Sequence, residues 1–356
     1  MKILSALVLP SSGRPGFIRN WIGAAAIAAL FSCLILVPAS ADEEPSVVPT
    51  GSAGVWSLTS ENDIFGGTDR NYSNGMRIER VSPANQVNPV LDWVADRIPI
   101  LDLDRTQLRE GWAISHAIFT PEDISTLVPD PDDRPYAAWM YLSGTVVAAT
   151  GDIQDVFQVN LGIVGPSAQG RFVQENWHKL IAIAEPKGWD SQLKDEVGLE
   201  IVAQRMRRFD GPELPFGLHS DYALHGGVTL GNVRTYGAVG GMARIGWDLG
   251  SDFGPPRIRP ALAGAGTFEP GQPFGGYVFA GIEARAVARD MFLDGNLWRD
   301  SARVSDRRDF VGDLQFGIAL HGGDVQVAFT YVHRTEEFIA QAGPQRFGAV
   351  SISVAR

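Results

Sequence analysis

Apolar and polar residues alternate along most of the chain after residue 41. The stretch DVFQVNLGIV (155–164) places an aromatic or aliphatic side chain at every second position, with mostly polar or small residues between them. Residues 325–332 and 347–356 repeat this pattern. A period of two residues is typical of β-strands, because successive side chains in a strand point to opposite faces.

The alternation predicts a series of strands. The candidate segments are 54–62, 73–82, 111–119, 137–149, 153–164, 196–208, 218–231, 234–247, 257–265, 275–288, 308–321, 324–335 and 345–355. The segment at 257–265 is the weakest candidate, because Pro255, Pro256 and Pro260 crowd it and proline cannot donate to a sheet ladder. An outer-membrane barrel with both termini in the periplasm needs an even number of strands, so we expect about twelve.

Alternation alone does not say whether the apolar face meets a protein core or lipid, and a soluble β-sandwich would show it as well. Three features favour the membrane: an export leader, polar small residues inside each strand, and short turns near 150–152 and 322–323 that alternate with long connections. The predicted fold is therefore an all-β, antiparallel transmembrane β-barrel.

One segment departs from the period of two. Residues 167–184 place Phe172, Trp177 and Leu180 at helical spacing, and Pro186 follows. This pattern predicts a short helix in the loop after the fifth strand, which would be an extracellular loop.

The N-terminal segment 1–41 has the order of a secretory signal peptide, with basic residues, an apolar run at 21–37 and the small residues ASA at 39–41. An N-terminal membrane anchor is the alternative, although about 17 apolar residues are marginal for a span. A lipoprotein signal at Cys33 is weaker, because the chain continues apolar after it. Residues 42–356 would then form one barrel domain.

Composition removes several classes of function. Cys33 is the single cysteine, so a mature chain from 42 onward has no disulfide, no thiolate metal site and no cysteine nucleophile. That mature chain has 27 basic and 41 acidic residues, a net charge of −14, which argues against nucleic acid as a partner. It contains no run of 18 apolar residues that would predict a helical span.

Strand parity predicts where polar groups meet. If the first strand rises from the periplasm, the connections after strands one, three and five all lie at the extracellular end, at the level of the outer leaflet. They contain residues 61–74, residues 120–136, and the predicted helix with Gln174, Glu175 and His178.

The side chains in these connections are suited to one kind of chemistry. Asn62, Asp63, Asp69 and Glu185 offer hard oxygen ligands that could hold Ca²⁺. A histidine such as His178 could deprotonate water beside such a cation, which is enough for ester hydrolysis. Zinc motifs and GxSxG are absent. The plainer interpretation is that the acidic residues serve solubility or bridge lipopolysaccharide through cations, while the histidine only packs.

Six stretches of the chain resemble the lipid A 3′-O-deacylase family (LpxR) of outer-membrane barrels. They are ENDIFGGTDRNYSNG (61–75), IFTPEDI (118–124), DRPYAAWMY (133–141), GIVGPSAQGRFVQENWHKLIA (162–182), GWDSQL (188–193) and EFIAQ (337–341). They extend from the first strand to the last loop, so the resemblance covers nearly the whole mature chain.

The resemblance implies a twelve-stranded barrel and a calcium-dependent esterase that acts on the 3′ acyloxyacyl group of lipid A. By motif position, Asn62 and Asp63 match the family's active-site pair, Ser73 matches its Thr or Ser, and His178 matches the proposed general base. The position six residues after this histidine, where the family can have a functional Glu, is Ala184 here.

These considerations give one hypothesis and two alternatives. The hypothesis is an outer-membrane enzyme, expected to be monomeric, that hydrolyses lipid A within lipopolysaccharide. Its catalytic residues are His178, Asn62, Asp63 and Ser73, its calcium ligands Asp63, Asp69 and Glu185, and its substrate contacts Arg70, Arg134, Lys179 and Gln174. The alternatives are an outer-membrane phospholipase A and a non-catalytic structural barrel or porin.

Overall fold

The computed structural model describes residues 53–67, 71–89, 93, 107–255 and 267–356. These residues form a closed barrel in which each strand pairs with its sequence neighbours in antiparallel fashion. The strands are β1 (Val55–Asn62), β2 (Asn71–Val81), β3 (Gln107–Thr120), β4 (Ala137–Thr150), β5 (Ile153–Val164), β6 (Glu196–Asp210), β7 (His219–Gly231), β8 (Arg234–Trp247), β9 (Phe274–Asp290), β10 (Phe310–Gly322), β11 (Val325–Arg334) and β12 (Gln345–Ala355).

The predicted barrel of about twelve strands is confirmed. The first and last strands close it, with Val55 opposite Ala355 and Asn62 opposite Gly348, so the sheet has no free edge. The segment at 257–265, the weakest strand candidate, and the predicted leader at 1–41 both lie outside the described residues.

The barrel is apolar outside and polar inside. In β5, Val159 and Leu161 are exposed on the outer wall, while Gln158 and Asn160 are buried in the lumen. A soluble β-sandwich would bury the apolar face, so that alternative is wrong. An outward apolar band around a polar lumen is the arrangement that lipid requires.

Ion pairs fill the lumen. Arg334 contacts Asp313 through Nε and Oδ1 at 2.8 Å, and Arg234 contacts Glu200 through Nε and Oε1 at 2.9 Å. All four side chains are almost fully buried. Buried charges are tolerated when each has a partner with good geometry, so these pairs connect β10 with β11 and β6 with β8 without leaving an isolated charge.

Described residues of the connection between β8 and β9 lie in the end of the lumen where β1 begins and β12 ends, called here the terminal end. Asp252 accepts hydrogen bonds from Tyr277 Oη at 2.9 Å, Gln326 Nε2 at 2.7 Å and Arg244 Nη1 at 2.6 Å. Phe268 packs in a cluster with residues of the first and last strands. Side chains from opposite sides of the barrel thus meet on this connection.

The opposite end, called the loop end, carries two helices, α1 (Gly170–Ile181) and α2 (Met291–Asp294). Phe292 of α2 stacks on the lumen residue Phe119, with ring centroids 4.0 Å apart. α1 follows β5, which confirms the predicted loop helix. Within the described ranges no helix has the length and apolar character needed to cross a membrane.

Candidate functional site

The end of β1 turns sharply through a 3₁₀ turn (Asp63–Gly66). The side chain of Asn62 caps this turn by accepting a hydrogen bond from the Ile64 N–H at 2.8 Å. Gly66 lies directly against the backbone of Arg346, where a Cβ would be 2.3 Å from a carbonyl oxygen. The turn therefore holds Asp63, which is 1% exposed, in one place at the loop end.

A β-bulge in β2 directs Ser73 to the outer wall. The register with β3 shifts between Tyr72 and Asn74. Tyr72 packs on Phe119 in the lumen, whereas the Oγ of Ser73 lies 2.6 Å from Oγ1 of Thr120, the residue after Phe119. Since neighbouring residues of a strand face opposite ways, Ser73 and Thr120 face outward together.

Asn62 and Asn74 extend this polar patch. They are directly opposite each other in the β1–β2 ladder, and they continue the outward row that carries Leu58 and Ile78 lower on the wall. The outer wall thus changes from apolar to polar at the loop end of β1, β2 and β3. Short oxygen-bearing side chains make up the polar part.

α1 packs on the outer wall over β3 and β4. Before the helix begins, His116 Nε2 of β3 lies 2.8 Å from the carbonyl oxygen of Ala168. Gly170 then sits so close to the wall that a Cβ would lie 2.4 Å from the Cβ of Ala138 and 2.5 Å from the ring of Trp189. Only glycine permits this approach.

The helix presents its polar residues to the barrel. His178 and Gln174, one turn apart, are 2% and 4% exposed, whereas Leu180 is 76% exposed. His178 Nδ1 lies 2.5 Å from the carbonyl oxygen of Ala184. A carbonyl only accepts, so Nδ1 carries the hydrogen, and the neutral ring has its lone pair on Nε2. This is the tautomer that a general base needs.

Trp189 fixes the orientation of Gln174. The Trp189 Nε1–H donates to Gln174 Oε1 at 2.8 Å. Because an indole N–H only donates, the amide oxygen must face it and the amide NH₂ must point the other way. That buried Nε2 has no hydrogen-bond partner among the described residues. Trp189 belongs to the GWDSQL stretch, but nothing in the sequence pattern alone distinguishes it as a residue that orients Gln174.

The structure separates other predicted residues from this region. Arg134 is 1% exposed, and its Nη2 donates to Glu337 Oε2 at 2.6 Å, inside the mouth of the barrel. Lys179 and Glu185 lie on the surface, where Nζ and Oε1 are 3.7 Å apart. Asp69 and Arg70 fall outside the described residues.

The chemistry of the polar patch suits a hard cation. The buried Oδ1 atoms of Asn71 and Asn74 have no hydrogen-bond partner in the described part of the chain. Asn62 and Asp63 add further oxygens, and the patch has no sulfur ligand, which fits calcium better than zinc. No three acidic, histidine or cysteine side chains among the described residues are grouped as metal ligands. Amide oxygens would therefore have to complete the set.

The family model for the outer membrane protein LpxR matches residues 27–356. The chain belongs to the LpxR family. It is an outer-membrane β-barrel, and the predicted location is confirmed. With an even strand number the terminal end lies in the periplasm, so the loop end and the polar patch lie at the outer leaflet.

The solved structure of another LpxR protein agrees with this fold. LpxR from Salmonella typhimurium matches with a TM-score of 0.69 and 18% identity over 84% of this chain and 99% of that one. The β domain of the Bordetella autotransporter BrkA matches with a TM-score of 0.42 and 11% identity, over 85% of this chain and 99% of that one. No curated protein matches the sequence.

Proposed function

We propose that this LpxR-family barrel is an ester hydrolase that removes the 3′-linked acyloxyacyl chain of lipid A. The observation that supports the proposal best is the position of His178. It is a buried histidine with a fixed tautomer, held between α1 and the outer wall of a membrane barrel. A buried base on the lipid side of the wall suits an ester that belongs to the membrane itself.

In this proposal His178 acts as the general base. Its Nε2 takes a proton from water as the water oxygen attacks the ester carbonyl carbon. The C–O bond to the sugar then breaks, and the same imidazolium returns the proton to the departing sugar oxygen. The backbone carbonyl of Ala184 holds the ring in place and stabilises the positive charge that forms on it.

The remaining residues orient the substrate and the water. The Gln174 amide NH₂, held by Trp189, donates a hydrogen bond to an oxygen of the substrate. Ser73, supported by Thr120, accepts from or donates to the attacking water. Lys179 and Arg70 are the candidates for contact with the lipid A phosphates, because the connections that contain them also contain His178 and Asp63.

Asn62, Asp63 and Asn74 would hold a calcium ion, together with Asp69 of the same connection; the surface residue Glu185 is not among these ligands. When bound, calcium would stabilise the negative charge that develops on the ester oxygen. The sharp 3₁₀ turn capped by Asn62 keeps Asp63 buried and ready for such a role.

The test is mass spectrometry of lipid A and phospholipids from a host that makes hexa-acylated lipid A and expresses this protein. Wild type should release the 3′-linked acyl pair, and chelation of divalent cations should stop it. His178→Gln should lower the rate by about 100-fold or more, the contribution typical of a general base. His219→Gln, at an exposed histidine of the terminal end, is the matched control and should retain full activity.

Two results would contradict the proposal. Unchanged lipid A together with new lysophospholipid would indicate a phospholipase A. No change in either lipid class, in cells with a correctly inserted barrel, would indicate a structural barrel.

A further inference from the structure

Helix α1 has three distinct sides. The first side, Gly170, Gln174 and His178, is buried against the barrel at a spacing of four residues. A surface helix normally buries its apolar side and exposes its polar side. Here the polar side is buried, which leaves the large apolar residues of the helix without protein cover.

These apolar residues form a continuous flank. Trp177 is 43% exposed, Leu180 76% and Ile181 36%, and the exposed Ile183 follows just after the helix ends. At 100° per residue, Trp177 and Leu180 lie about 60° apart on one side of the helix axis. We call Trp177, Leu180, Ile181 and Ile183 the apolar flank.

Charged residues occupy the opposite side. Arg171, Glu175 and Lys179 follow one another at a spacing of four residues. They are engaged with each other and with neighbouring loops, through Arg171 Nε to Glu175 Oε1 at 3.8 Å and Arg171 Nη2 to Asp190 Oδ1 at 2.5 Å. We call these three residues the charged flank. Phe172, 64% exposed in the first turn, lies beside the charged flank, and from Gln174 onward the helix separates apolar side chains from charged ones.

The apolar flank joins the lipid-facing wall of the barrel. Val173, on the same side of the helix as Leu180, packs on the cluster of Ile118, Ala138 and Trp189, and so does Ile163 of β5. Ile163 is paired with Met140, an exposed residue of the outward apolar band. The apolar surface thus runs from the wall of β4 and β5 onto the helix.

We propose that the apolar flank lies among the acyl chains of the outer leaflet, with the charged flank at the level of the headgroups. The continuity with the barrel's lipid-facing wall and the segregation of charge to the other side both identify lipid as the occupant. α1 then forms one side of the candidate site, and its outer surface packs against lipid. Acyl chains reach His178 from within the membrane plane. The immersion itself does not depend on the proposed esterase activity.

Spin labelling tests this directly. The mature chain from residue 42 has no cysteine, so single-cysteine variants need no background substitutions. Nitroxide labels at Leu180→Cys and Lys179→Cys would be compared in phosphatidylcholine vesicles, by relaxation with molecular oxygen and with a water-soluble nickel chelate. Leu142→Cys on the apolar wall is the lipid reference, and Phe216→Cys, exposed at a terminal-end turn, is the water reference.

Leu180→Cys should resemble Leu142→Cys, with high oxygen and low nickel accessibility, while Lys179→Cys should be several-fold more accessible to nickel. Equal nickel accessibility at 179 and 180 would overturn the proposal. Exclusion of both reagents at 180, with dipolar broadening between labels, would also overturn it and show a second copy of the chain on the flank. Each variant must first show the heat-modifiable migration of a folded barrel.

Discussion

At the residue scale, the orientation of the Gln174 side-chain amide bears directly on the proposed function. Trp189 and Gln174 are both buried, and their hydrogen bond leaves the amide NH₂ without a partner among the described residues, one helical turn from His178. Gln174→Glu keeps an acceptor for the indole but removes the NH₂. Trp189→Phe keeps the ring but releases the amide.

We expect Trp189→Phe to lower the rate of deacylation by about tenfold, the equivalent of one ordinary hydrogen bond. Gln174→Glu should lower the rate further, because it removes the NH₂ donor itself. Initial rates on lipid A in detergent would measure both. In the double variant the two losses should not add, because both act through one donor. Full activity in Gln174→Glu would show that the NH₂ has no part in the reaction.

Glu337 gives a prediction about pH. Burial alone would raise the pKa of its carboxyl, but the guanidinium groups of Arg134 and Arg334 outweigh burial and leave the pKa below its ordinary value. A lowered pKa means that the ionised form stabilises the fold. This contribution is complete above the pKa of the unfolded chain and is lost as pH falls through the lower, folded value.

Glu337→Gln should therefore destabilise the loop end at neutral pH by about 3 kcal/mol, the cost of leaving a buried arginine without its partner. Urea unfolding in detergent at pH 7 and at pH 3 measures the difference, which should shrink at the lower pH. Glu336→Gln, a half-exposed neighbour paired with Arg308, is the control and should have little effect at either pH. A difference that persists at pH 3 would contradict the assignment.

At the scale of elements, the pattern of residues predicted that α1 exists but not which side it buries. Phe172, Trp177 and Leu180 have helical spacing, and the usual assumption would place such residues against protein. The structure does the reverse, because the helix lies beside a membrane wall. Its position depends on Gly170, since a larger residue cannot come so close to Ala138.

Gly170→Ala should lift the start of α1 from the wall. The added methyl would lie 2.4 Å from the Cβ of Ala138, so the helix must move and carry Gln174 and His178 with it. We expect deacylation to fall at least tenfold and the loop at 165–195 to become sensitive to protease, while the barrel stays folded. Gly322→Ala adds the same methyl where nothing lies within 4 Å, and should change neither readout. Unchanged protease resistance in Gly170→Ala would refute this account of docking.

At the scale of the whole molecule, side chains of the barrel wall contact residues that lie in both ends of the barrel. Asp252 holds the terminal end through Arg244, Tyr277 and Gln326, and Phe292 covers the loop end by stacking on Phe119. Between them, buried ion pairs such as Arg234–Glu200 and Arg334–Asp313 line the lumen. Because side chains occupy both ends and line the lumen between them, we expect no continuous water path.

The wild-type protein should therefore show no stable channels in planar lipid bilayers. A water-filled porin from the same membrane source is the positive control for insertion and conductance. Regular conductance steps from the purified barrel would support the porin alternative instead.

Asp252→Ala should lower the temperature of unfolding, because it leaves the buried Arg244 without one of its two carboxylate partners.

The sequence by itself determined the strands, their number and the existence of the loop helix. Each strand exposes one face to lipid and the other to the polar lumen, so apolar and polar residues alternate along it. Motif resemblance also determined which connections carry the candidate residues. Local information suffices for these features because they depend on neighbours along the chain.

Tertiary structure alone decided which of these residues meet. The bulge in the β2–β3 ladder turns Ser73 outward, and Arg134 pairs with Glu337 from a different connection. Within the connection between β5 and β6, Trp189 orients Gln174 across 15 residues of sequence. The contact between Arg134 and Glu337 depends on barrel closure, which brings strands from the two ends of the sequence together at a fixed register. Whether a side chain faces lipid, lumen or helix is set by that closure.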